Sequence, residues 1–278
     1  MKISVCGKGG SGKSTIVTLL ANEARTRGYR VLVVDSDESN SGLFRMLGFD
    51  QPPIPLMELV GGKRKVQRSL RDGFSSGESG GGMRVMRQDS IKVDDIPAEH
   101  IMTKDNLQLV CIGKILQSLE GCACPMGVLS REFLKKLTLE EDEIVVVDME
   151  AGVEHFGRGV ETSIDSVLTV VEPSFDSLEV AGRIHSLASG IGIKNIWAIV
   201  NKVPSEAIAT KLEDELKKRD IDVIGRIHLD HEVFKSNVEG SVLNKGRAAE
   251  EIRDVLDCLL LHHGREVFEN VPGSSLSK

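Results

Sequence analysis

A glycine-rich segment near the beginning of the chain has the residue types and spacing of a phosphate-binding loop. Residues 7–14 read GKGGSGKS, which fits the pattern G-x-x-x-x-G-K-[ST]. In such a loop, backbone N–H groups turn towards a phosphate at a helix N-terminus, where the helix dipole favours negative charge. We expect Lys13 to reach the β- and γ-phosphates of a nucleotide and the Ser14 hydroxyl to ligate Mg²⁺. The other expected nucleotide contacts are Gly7, Gly9, Gly10, Ser11, Gly12 and Thr15. A glycine-rich turn without a ligand is the alternative.

Two cysteines, Cys122 and Cys124, lie close enough in sequence to share a metal ion. They stand in GCACP over 121–125, where a small residue between them and a proline after them suit a short loop that presents both sulfurs. Thiolates are soft ligands that select Zn²⁺, Fe–S clusters, Cu⁺ or thiophilic nickel. One chain supplies only two sulfurs, so a four-sulfur site needs a second chain related by two-fold symmetry. The C-x-C spacing alone is a weak signal, and two incidental cysteines are the alternative. The remaining three, Cys6, Cys111 and Cys258, are expected to be core thiols.

A third candidate group is the carboxylate of Asp148, which ends a run of four aliphatic residues at 144–147. This is the Walker B arrangement. We expect the carboxylate to hold the hydration shell of Mg²⁺, because this ion keeps several of its waters when it binds to proteins. A plain strand end is the alternative.

The elements that must position these groups alternate along the chain. Predicted strands lie at 2–6, 31–34, 107–112, 144–148, 166–171, 196–201 and 223–227, and predicted helices begin at Lys13 and lie at 41–47, 129–137, 176–189, 206–219 and 248–261. The run VLVV at 31–34 is short and unalternated, as in a parallel strand buried on both faces. The pattern predicts an α/β fold of the P-loop NTPase type. It should have a mostly parallel, twisted sheet, helices on both faces, and ligands at the carboxyl ends of the strands.

At 278 residues the chain can form one large domain with a full core. We predict a single P-loop ATPase domain over 1–263 and a disordered tail over 264–278. Within the domain, 121–127 is the predicted C-x-C metal loop and 61–100 a flexible insertion. Glycines, serines and a basic cluster mark the insertion, which is either a solvated loop or a docking element for an acidic partner. The cluster consists of Lys63, Arg64, Lys65, Arg68 and Arg71.

The overall composition narrows the function classes. The formal charge is -7 and the pI about 5.6, which argues against binding to nucleic acid. No apolar run approaches the roughly 18–20 residues of a membrane span. Met1 leads directly into the first predicted strand, so we expect no signal peptide, no membrane partner and a cytoplasmic location. Five cysteines are an odd number, which speaks against a disulfide framework.

Lys8 is a second lysine inside the phosphate loop and departs from the general pattern. With it, and with later motifs in the same order over nearly the whole chain, the sequence resembles the deviant Walker A ATPases. These include the nitrogenase iron protein, MinD, ParA and Mrp-type metal-cluster carriers. The resemblance implies an Mg²⁺-dependent ATPase whose extra lysine reaches the nucleotide phosphates of a partner subunit. Carried over to Lys8, it implies a nucleotide-dependent homodimer in which this lysine acts catalytically with Lys13, as an arginine finger does. A solvated loop lysine is the alternative.

The same resemblance gives roles to acidic residues near the phosphates. Asp37 matches the catalytic aspartate that positions or activates the attacking water, and helix capping is the alternative role. Asp35 matches a residue that helps to order Mg²⁺. Residues 149–154 resemble switch II, the segment that senses the γ-phosphate. The expected Mg²⁺ set is therefore Ser14, Asp35, Asp37 and Asp148.

Further motifs match positions that contact the base in relatives. Asn201 and Lys202 follow a predicted strand where relatives place a base-recognising Asn, whose amide offers both a donor and an acceptor. Residues 227–230 match the loop that covers the adenine ring, with Leu229 and Asp230 as expected contacts. Ordinary turn chemistry is the alternative for both segments. Residues 172–174 resemble the strand-to-helix turn of these relatives, and we assign them no chemistry.

The segment GCACP on such an ATPase resembles the CooC-type accessory proteins of carbon monoxide dehydrogenase. These are ATP-dependent factors that bind nickel at a dimeric C-x-C site during maturation of the enzyme's nickel–iron–sulfur cluster. The resemblance implies a metallochaperone that holds nickel, or else zinc or a bridging Fe–S cluster, at Cys122 and Cys124. Its implied clients are carbon monoxide dehydrogenase or acetyl-CoA synthase, and the sequence does not distinguish between them.

Two other functions stay open. An Fe–S carrier of the Mrp or nitrogenase iron protein type is the first, although the iron protein takes its two cysteines from distant segments. A positioning ATPase of the MinD or ParA type, acting on a membrane or on DNA, is less favoured. The last predicted helix is acidic, and anionic lipid would repel it. Its carboxylates belong to Glu250, Glu251, Asp254 and Asp257.

Overall fold

A computed structural model describes residues 1–39, 42–68, 86, 88–114, 124–157 and 163–269, with only the main chain described for 124, 154, 157 and 265–269. The strands of this part are β1 Lys2–Gly7, β2 Arg30–Asp35, β3 Met102–Lys104, β4 Leu107–Cys111, β5 Glu143–Asp148, β6 Ser166–Val171, β7 Asn195–Val203 and β8 Asp222–His228. Its helices are α1 Lys13–Thr26, α2 Leu43–Met46, α3 Leu56–Leu59, α4 Cys124–Lys136, α5 Glu154–Gly157, α6 Phe175–Gly190, α7 Glu206–Lys217, α8 His231–Glu239 and α9 Arg247–Glu269. Further helical turns lie at 63–68, Val93–Asp95 and Ala98–His100.

The strands form one sheet in the order β3-β4-β2-β5-β1-β6-β7-β8. Every pairing is parallel except that of β3 with β4. The seven predicted strands are all observed, and β3 is the one that the sequence analysis missed. It is a three-residue edge strand with two exposed side chains, so only its pairing with β4 defines it.

Two layers of apolar side chains cover the sheet. On one face, α1 and α9 contribute residues such as Ile16, Leu20 and Val255 to a core shared with β1 and β2. On the other face, α4 and α6 contribute residues such as Phe133 and Ile184. Every residue of β5 is buried, as expected for a central parallel strand with helices on both sides. The predicted α/β fold with helices on both faces is confirmed.

The structure corrects two predicted elements and adds a helix that was not predicted. Helix α9 continues to Glu269, so the predicted disordered tail is wrong over 264–269, since an established helix gains one hydrogen bond for each residue added. Residues 270–278 lie outside the described part. Helix α8 was not predicted; it is a short helix in which only Ser236 is buried, although Val233 packs against the core. Helix α2 begins at Leu43, two positions inside the predicted 41–47.

The predicted insertion at 61–100 is partly integrated into the core. Val66, Ile91, Val93 and Ile96 are buried in the same apolar layer as Phe133 of α4. These four side chains are therefore part of the core, and the predicted flexibility of the insertion stays a prediction. The basic cluster is helical over 63–68, whereas 69–85 and 87 lie outside the described residues.

The strand order determines which loops meet at the candidate site. Strand β1 lies between β5 and β6, with Val5 opposite Asp148 and Gly7 opposite Val170. Strand β2 pairs with β5 so that Asp35 lies opposite Asp148. The carboxyl ends of these strands, with that of β7, lie at one edge of the sheet, where doubly wound folds bind ligands.

Candidate functional site

The phosphate loop connects β1 to α1 and requires glycine at specific positions. Gly7 has a φ of +146°, and a Cβ there would lie 2.6 Å from the carbonyl oxygen of Val170 on the neighbouring strand. Gly12, which immediately precedes α1, has a φ of +98° and adopts the left-handed conformation. A side chain at either position would strain the backbone or displace a neighbour, so the local sequence itself allows this loop to form.

A buried amide on strand β7, two positions from β1 in the sheet, supports the loop. The Nδ2 group of Asn201 donates a hydrogen bond of 2.7 Å to the carbonyl of Ser11. It also lies where a Cβ on Gly12 would project. Asn201 was predicted to recognise the base. Its Nδ2 group instead contacts the phosphate loop, although the residue also lines the pocket described below. The hydroxyl of Ser11 is buried and has no hydrogen-bond partner among the described residues.

Ser14 and Asp148 are in direct contact. The Ser14 hydroxyl donates a hydrogen bond of 2.6 Å to Oδ2 of Asp148. The other carboxylate oxygen, Oδ1, is buried without a hydrogen-bond partner among the described residues. A hydroxyl beside a carboxylate oxygen that lacks a partner is a donor set that suits Mg²⁺, which prefers oxygen ligands and retained waters. The residues present therefore fit this ion, which would supply charge neutralisation for nucleotide phosphates.

Asp35 and Asp148, which lie opposite each other at the ends of β2 and β5, both have raised pKa values. Burial raises the pKa of Asp148 to about 7, and the nearby negative charge of Asp35 acts in the same direction. Burial raises the pKa of Asp35 to about 6, although the ammonium group of Lys114 opposes this shift. Two carboxyls buried this close together favour a cation between or beside them.

Lys114 is a functional candidate that the sequence analysis missed. Its Nζ lies 2.7 Å from Oδ2 of Asp35 and also donates to the main-chain carbonyl of Asp37. Both side chains of the ion pair are largely buried, at 14% and 8% exposure. Lys114 follows β4, and only the adjacency of β4 and β2 brings it to Asp35, so no local pattern could have predicted the contact.

Asp37 lies at the edge of the nucleotide pocket. Its Oδ1 accepts hydrogen bonds from the N–H and the hydroxyl of Ser39, at 2.9 and 2.6 Å. The next described helix begins only at Leu43, so Asp37 does not cap it. The capping alternative is thus wrong. Its predicted role towards the attacking water stays a prediction.

Lys8 forms an ion pair within its own subunit. Its Nζ lies 2.9 Å from Oε1 of Glu172, which also accepts from Lys202 through Oε2 at 3.2 Å. Glu172 follows β6, in the turn to which we assigned no chemistry. Its position two residues after Val170, the register partner of Gly7, explains the contact, and this register cannot be read from the sequence.

A pocket of about 440 Å³ opens beside the phosphate loop. Its lining joins loop residues to the segment after β8 and to α8, and it includes Lys13, Ser14, Thr15, Asp37, Asn201, Lys202, Leu229, Asp230 and Phe234. Gly10 and Gly12 also line it, whereas Gly9 is exposed elsewhere on the loop. The structure therefore brings together most of the residues predicted to contact a nucleotide.

Asp230, in the wall of this pocket, stabilises the N-termini of two helices. Its Oδ1 accepts from the N–H of Glu232 at 2.8 Å, and its Oδ2 accepts from the N–H of Ala248 at 2.8 Å. One carboxylate therefore caps both α8 and α9. Leu229 and Phe234 are 63% and 67% exposed. Both present apolar surface at the pocket, and Phe234 was not predicted.

The predicted metal-binding cysteines fall largely outside the described residues. Cys122 lies outside them, and of Cys124 only the main chain, at the start of α4, is described. Within the described ranges, no group of three or more His, Cys, Asp and Glu side chains is arranged to hold a metal ion. Cys6 and Cys111 are buried, as predicted, while Cys258 is only partly buried. Burial raises the pKa of Cys111 to about 12, so this thiol stays protonated.

Comparison with known proteins places this site in a family. Residues 3–243 match the model described as the CobQ/CobB/MinD/ParA nucleotide binding domain. The chain belongs to this family. An uncharacterised ATP-binding protein of Methanocaldococcus jannaschii is 42% identical over 259 residues, which cover 93% of this chain and 99% of that protein. The carbon monoxide dehydrogenase accessory protein CooC of Rhodospirillum rubrum is 33% identical over 240 residues, 86% of this chain and 88% of CooC. The protein is an ATP-binding P-loop ATPase of the MinD/ParA type.

Solved structures of this family share the fold. The MinD cell division protein of Aquifex aeolicus matches over 93% of this chain and 96% of its own, with a TM-score of 0.65 and 19% identity. A ParA family ATPase of Chlorobium tepidum matches over 93% and 97%, with a TM-score of 0.61 and 20% identity. Within the described ranges, none of the helices is both long and apolar enough to cross a lipid bilayer.

Proposed function

We propose that this protein is an ATP-hydrolysing, nucleotide-dependent homodimer that binds nickel at Cys122 and Cys124. In this proposal it delivers the metal to carbon monoxide dehydrogenase or acetyl-CoA synthase. The observation that carries the proposal is the 33% identity to CooC over 86% of this chain. The C-x-C pair in the sequence supplies the soft ligands that such a cargo needs.

We assign to the nucleotide-site residues the roles that the family resemblance implies. The loop from Gly7 to Thr15 would hold the phosphates, with Lys13 at the β- and γ-phosphates. Ser14 and Asp148 would hold Mg²⁺, with Asp35 beside them. Asp37 would orient the attacking water, and Lys8 would reach the nucleotide of the partner subunit. Together these groups would stabilise the charge that spreads over the transferred phosphoryl oxygens.

Contacts of the segment 35–37 support a link between the nucleotide and the cargo. The hydroxyl of Ser36 lies 2.6 Å from the hydroxyl of Ser130 on α4, the helix whose main chain begins at Cys124. Lys114, which binds Asp35 and the carbonyl of Asp37, precedes the cysteines in the chain. The segment that carries the expected Mg²⁺ and attacking-water residues therefore contacts the chain on both sides of the C-x-C pair. Such contacts allow two conformations of the protein, and a nucleotide can change the metal affinity only if it binds these two conformations unequally.

The test is a metal titration of protein purified without oxygen, with ATP, with ADP and without nucleotide. We expect one nickel per dimer, nickel–thiolate absorption bands, and a nickel affinity that differs between the ATP and ADP states. A broad iron–sulfur absorption with bound iron and sulfide would instead support the Fe–S carrier function. Protein that binds neither metal tightly, but associates with vesicles or DNA when ATP is added, would contradict both and favour a positioning ATPase.

A further inference from the structure

The carboxylate of Glu172 joins two lysines that flank the phosphate loop. Lys8 donates to its Oε1 at 2.9 Å and Lys202 to its Oε2 at 3.2 Å. Lys202 also donates to the carbonyl of Gly10 within the loop. The sheet register produces this bridge, because β1, β6 and β7 are neighbours whose carboxyl ends lie side by side.

Glu172 is the fixed member of this group. Its N–H donates to the hydroxyl of Ser177 at 3.1 Å, and its carbonyl accepts from the N–H of Ser174 at 2.7 Å. Its main chain is thereby fixed by the first turn of α6, and its side chain is only 18% exposed. Lys8, at 32% exposure, carries its ammonium on a flexible stem and can change partner at little steric cost.

The charge of the carboxylate is maintained by its partners. Burial alone would raise the pKa of Glu172, but the hydrogen bonds from Lys8 and Lys202 more than offset it, and the net shift is downward. Glu172 is therefore ionised at neutral pH and attracts Lys8 whenever no stronger anion is within reach.

We propose that Glu172 is a positioning residue that holds Lys8 within its own subunit until a nucleotide-loaded partner subunit takes the lysine over. The proposal rests on the proposed role of Lys8 across the dimer interface. One ammonium cannot bind Glu172 and reach a second subunit at the same time, so dimer formation must break this ion pair in each subunit. After the exchange, Glu172 keeps Lys202 as its counter-ion.

The consequence is a lower tendency to dimerise without ATP. Breaking the ion pair weakens the dimer by the same factor in every nucleotide state. Nucleotide-free and ADP-bound subunits offer Lys8 less negative charge, so their dimers are weaker from the outset. The same weakening therefore leaves them dissociated at protein concentrations at which the ATP-bound dimer still forms. An exposed ion pair corresponds to about 1.5- to 5-fold in an equilibrium constant. Because a two-fold dimer breaks two of them, removing the Glu172 charge should lower the dimer dissociation constant about 2- to 25-fold.

The experiment measures the dimer dissociation constant of the full chain by analytical ultracentrifugation, with ADP and with a non-hydrolysable ATP analogue. Glu172→Gln, which keeps the shape and the main-chain hydrogen bonds, should tighten the dimer in both states. Glu179→Gln is the matched control, since Glu179 lies on the helix that follows Glu172 but pairs with Arg219 at 3.0 Å, and it should change nothing. Glu172→Asp, with its charge on a shorter side chain, should give an intermediate value.

A double-mutant cycle separates this proposal from the proposed function. Lys8→Ala should abolish the ATP-dependent dimer, and adding Glu172→Gln to it should have no effect. A Lys8→Ala protein that dimerises like the wild type would refute the cross-interface role itself. If Lys8→Ala fails to dimerise while Glu172→Gln behaves like the wild type, only the role of Glu172 is refuted. An effect of Glu172→Gln that persists without Lys8 would also refute it.

Discussion

The Ser14 hydroxyl donates a 2.6 Å hydrogen bond to Oδ2 of Asp148, which ties the first turn of α1 to the end of β5. The second carboxylate oxygen of Asp148 is buried and has no hydrogen-bond partner among the described residues. A protein rarely leaves such an atom without a partner unless a ligand supplies one. Substitutions at this pair therefore test whether it holds the Mg²⁺ of the ATPase.

Asp148→Asn should nearly abolish Mg²⁺-dependent ATP hydrolysis. An amide cannot balance the charge of a divalent ion, and the loss of one preorganised electrostatic group lowers kcat by about 100-fold or more. Phosphate release at saturating ATP and Mg²⁺ measures the effect. Asp142→Asn, at an exposed position just before β5, makes the same chemical change and should leave the rate unaltered. A normal rate in Asp148→Asn would exclude Asp148 from the Mg²⁺ set.

Gly12→Ala should weaken ATP binding by about 10-fold or more. The new Cβ would meet the amide of Asn201 and strain a residue with a φ of +98°, and such strain costs about 1–3 kcal/mol. Gly28→Ala is the control, since its φ is +92° but nothing lies within 4 Å of its Cβ. The control should lose some stability and keep its ATP affinity, measured by calorimetry. Equal affinity losses in both variants would mean that backbone strain alone explains the result.

Lys114→Met should destabilise the folded protein by about 3 kcal/mol, because it leaves the buried carboxylate of Asp35 without its counter-ion. Urea unfolding measures the free energy of unfolding. Combining Lys114→Met with Asp35→Asn should restore part of the loss, since the carboxylate that lost its counter-ion is then removed as well. Lys92→Met serves as the control, because its ion pair with Glu140 is exposed and should contribute nothing measurable. Failure of the double variant to recover would show that Lys114 acts mainly through packing.

Replacing Cys122 and Cys124 by serine should abolish stoichiometric nickel binding and leave ATP binding intact. Serine keeps the size but offers a hard oxygen in place of a soft thiolate. Metal analysis after gel filtration and calorimetry with ATP give the two readouts. Cys258→Ser, at a partly buried position in α9, should keep its nickel. Unchanged nickel content in the double variant would remove the metallochaperone proposal.

The phosphate loop and the main strands could be predicted from local sequence. The loop has a fixed residue spacing. The strands β2 and β5 are continuous runs of apolar residues, which predict buried strands. The edge strand β3, the polar helix α8 and the extension of α9 were not predicted. Strand β3 is too short to show alternation, helix α8 buries only one of its side chains, and the residues after 263 follow a helix that already had a predicted end.

The sequence by itself determined that the chain binds a nucleotide phosphate, because glycine conformations and a helix start act over a few adjacent residues. It also placed Asp35, Asp148 and Asn201 at strand ends. Only the tertiary structure decided which of these groups meet. Lys8 reaches Glu172, 164 positions away, and Lys114 reaches Asp35, 79 positions away. Such contacts depend on the order and register of parallel strands, which the packing of the whole sheet determines rather than any single segment.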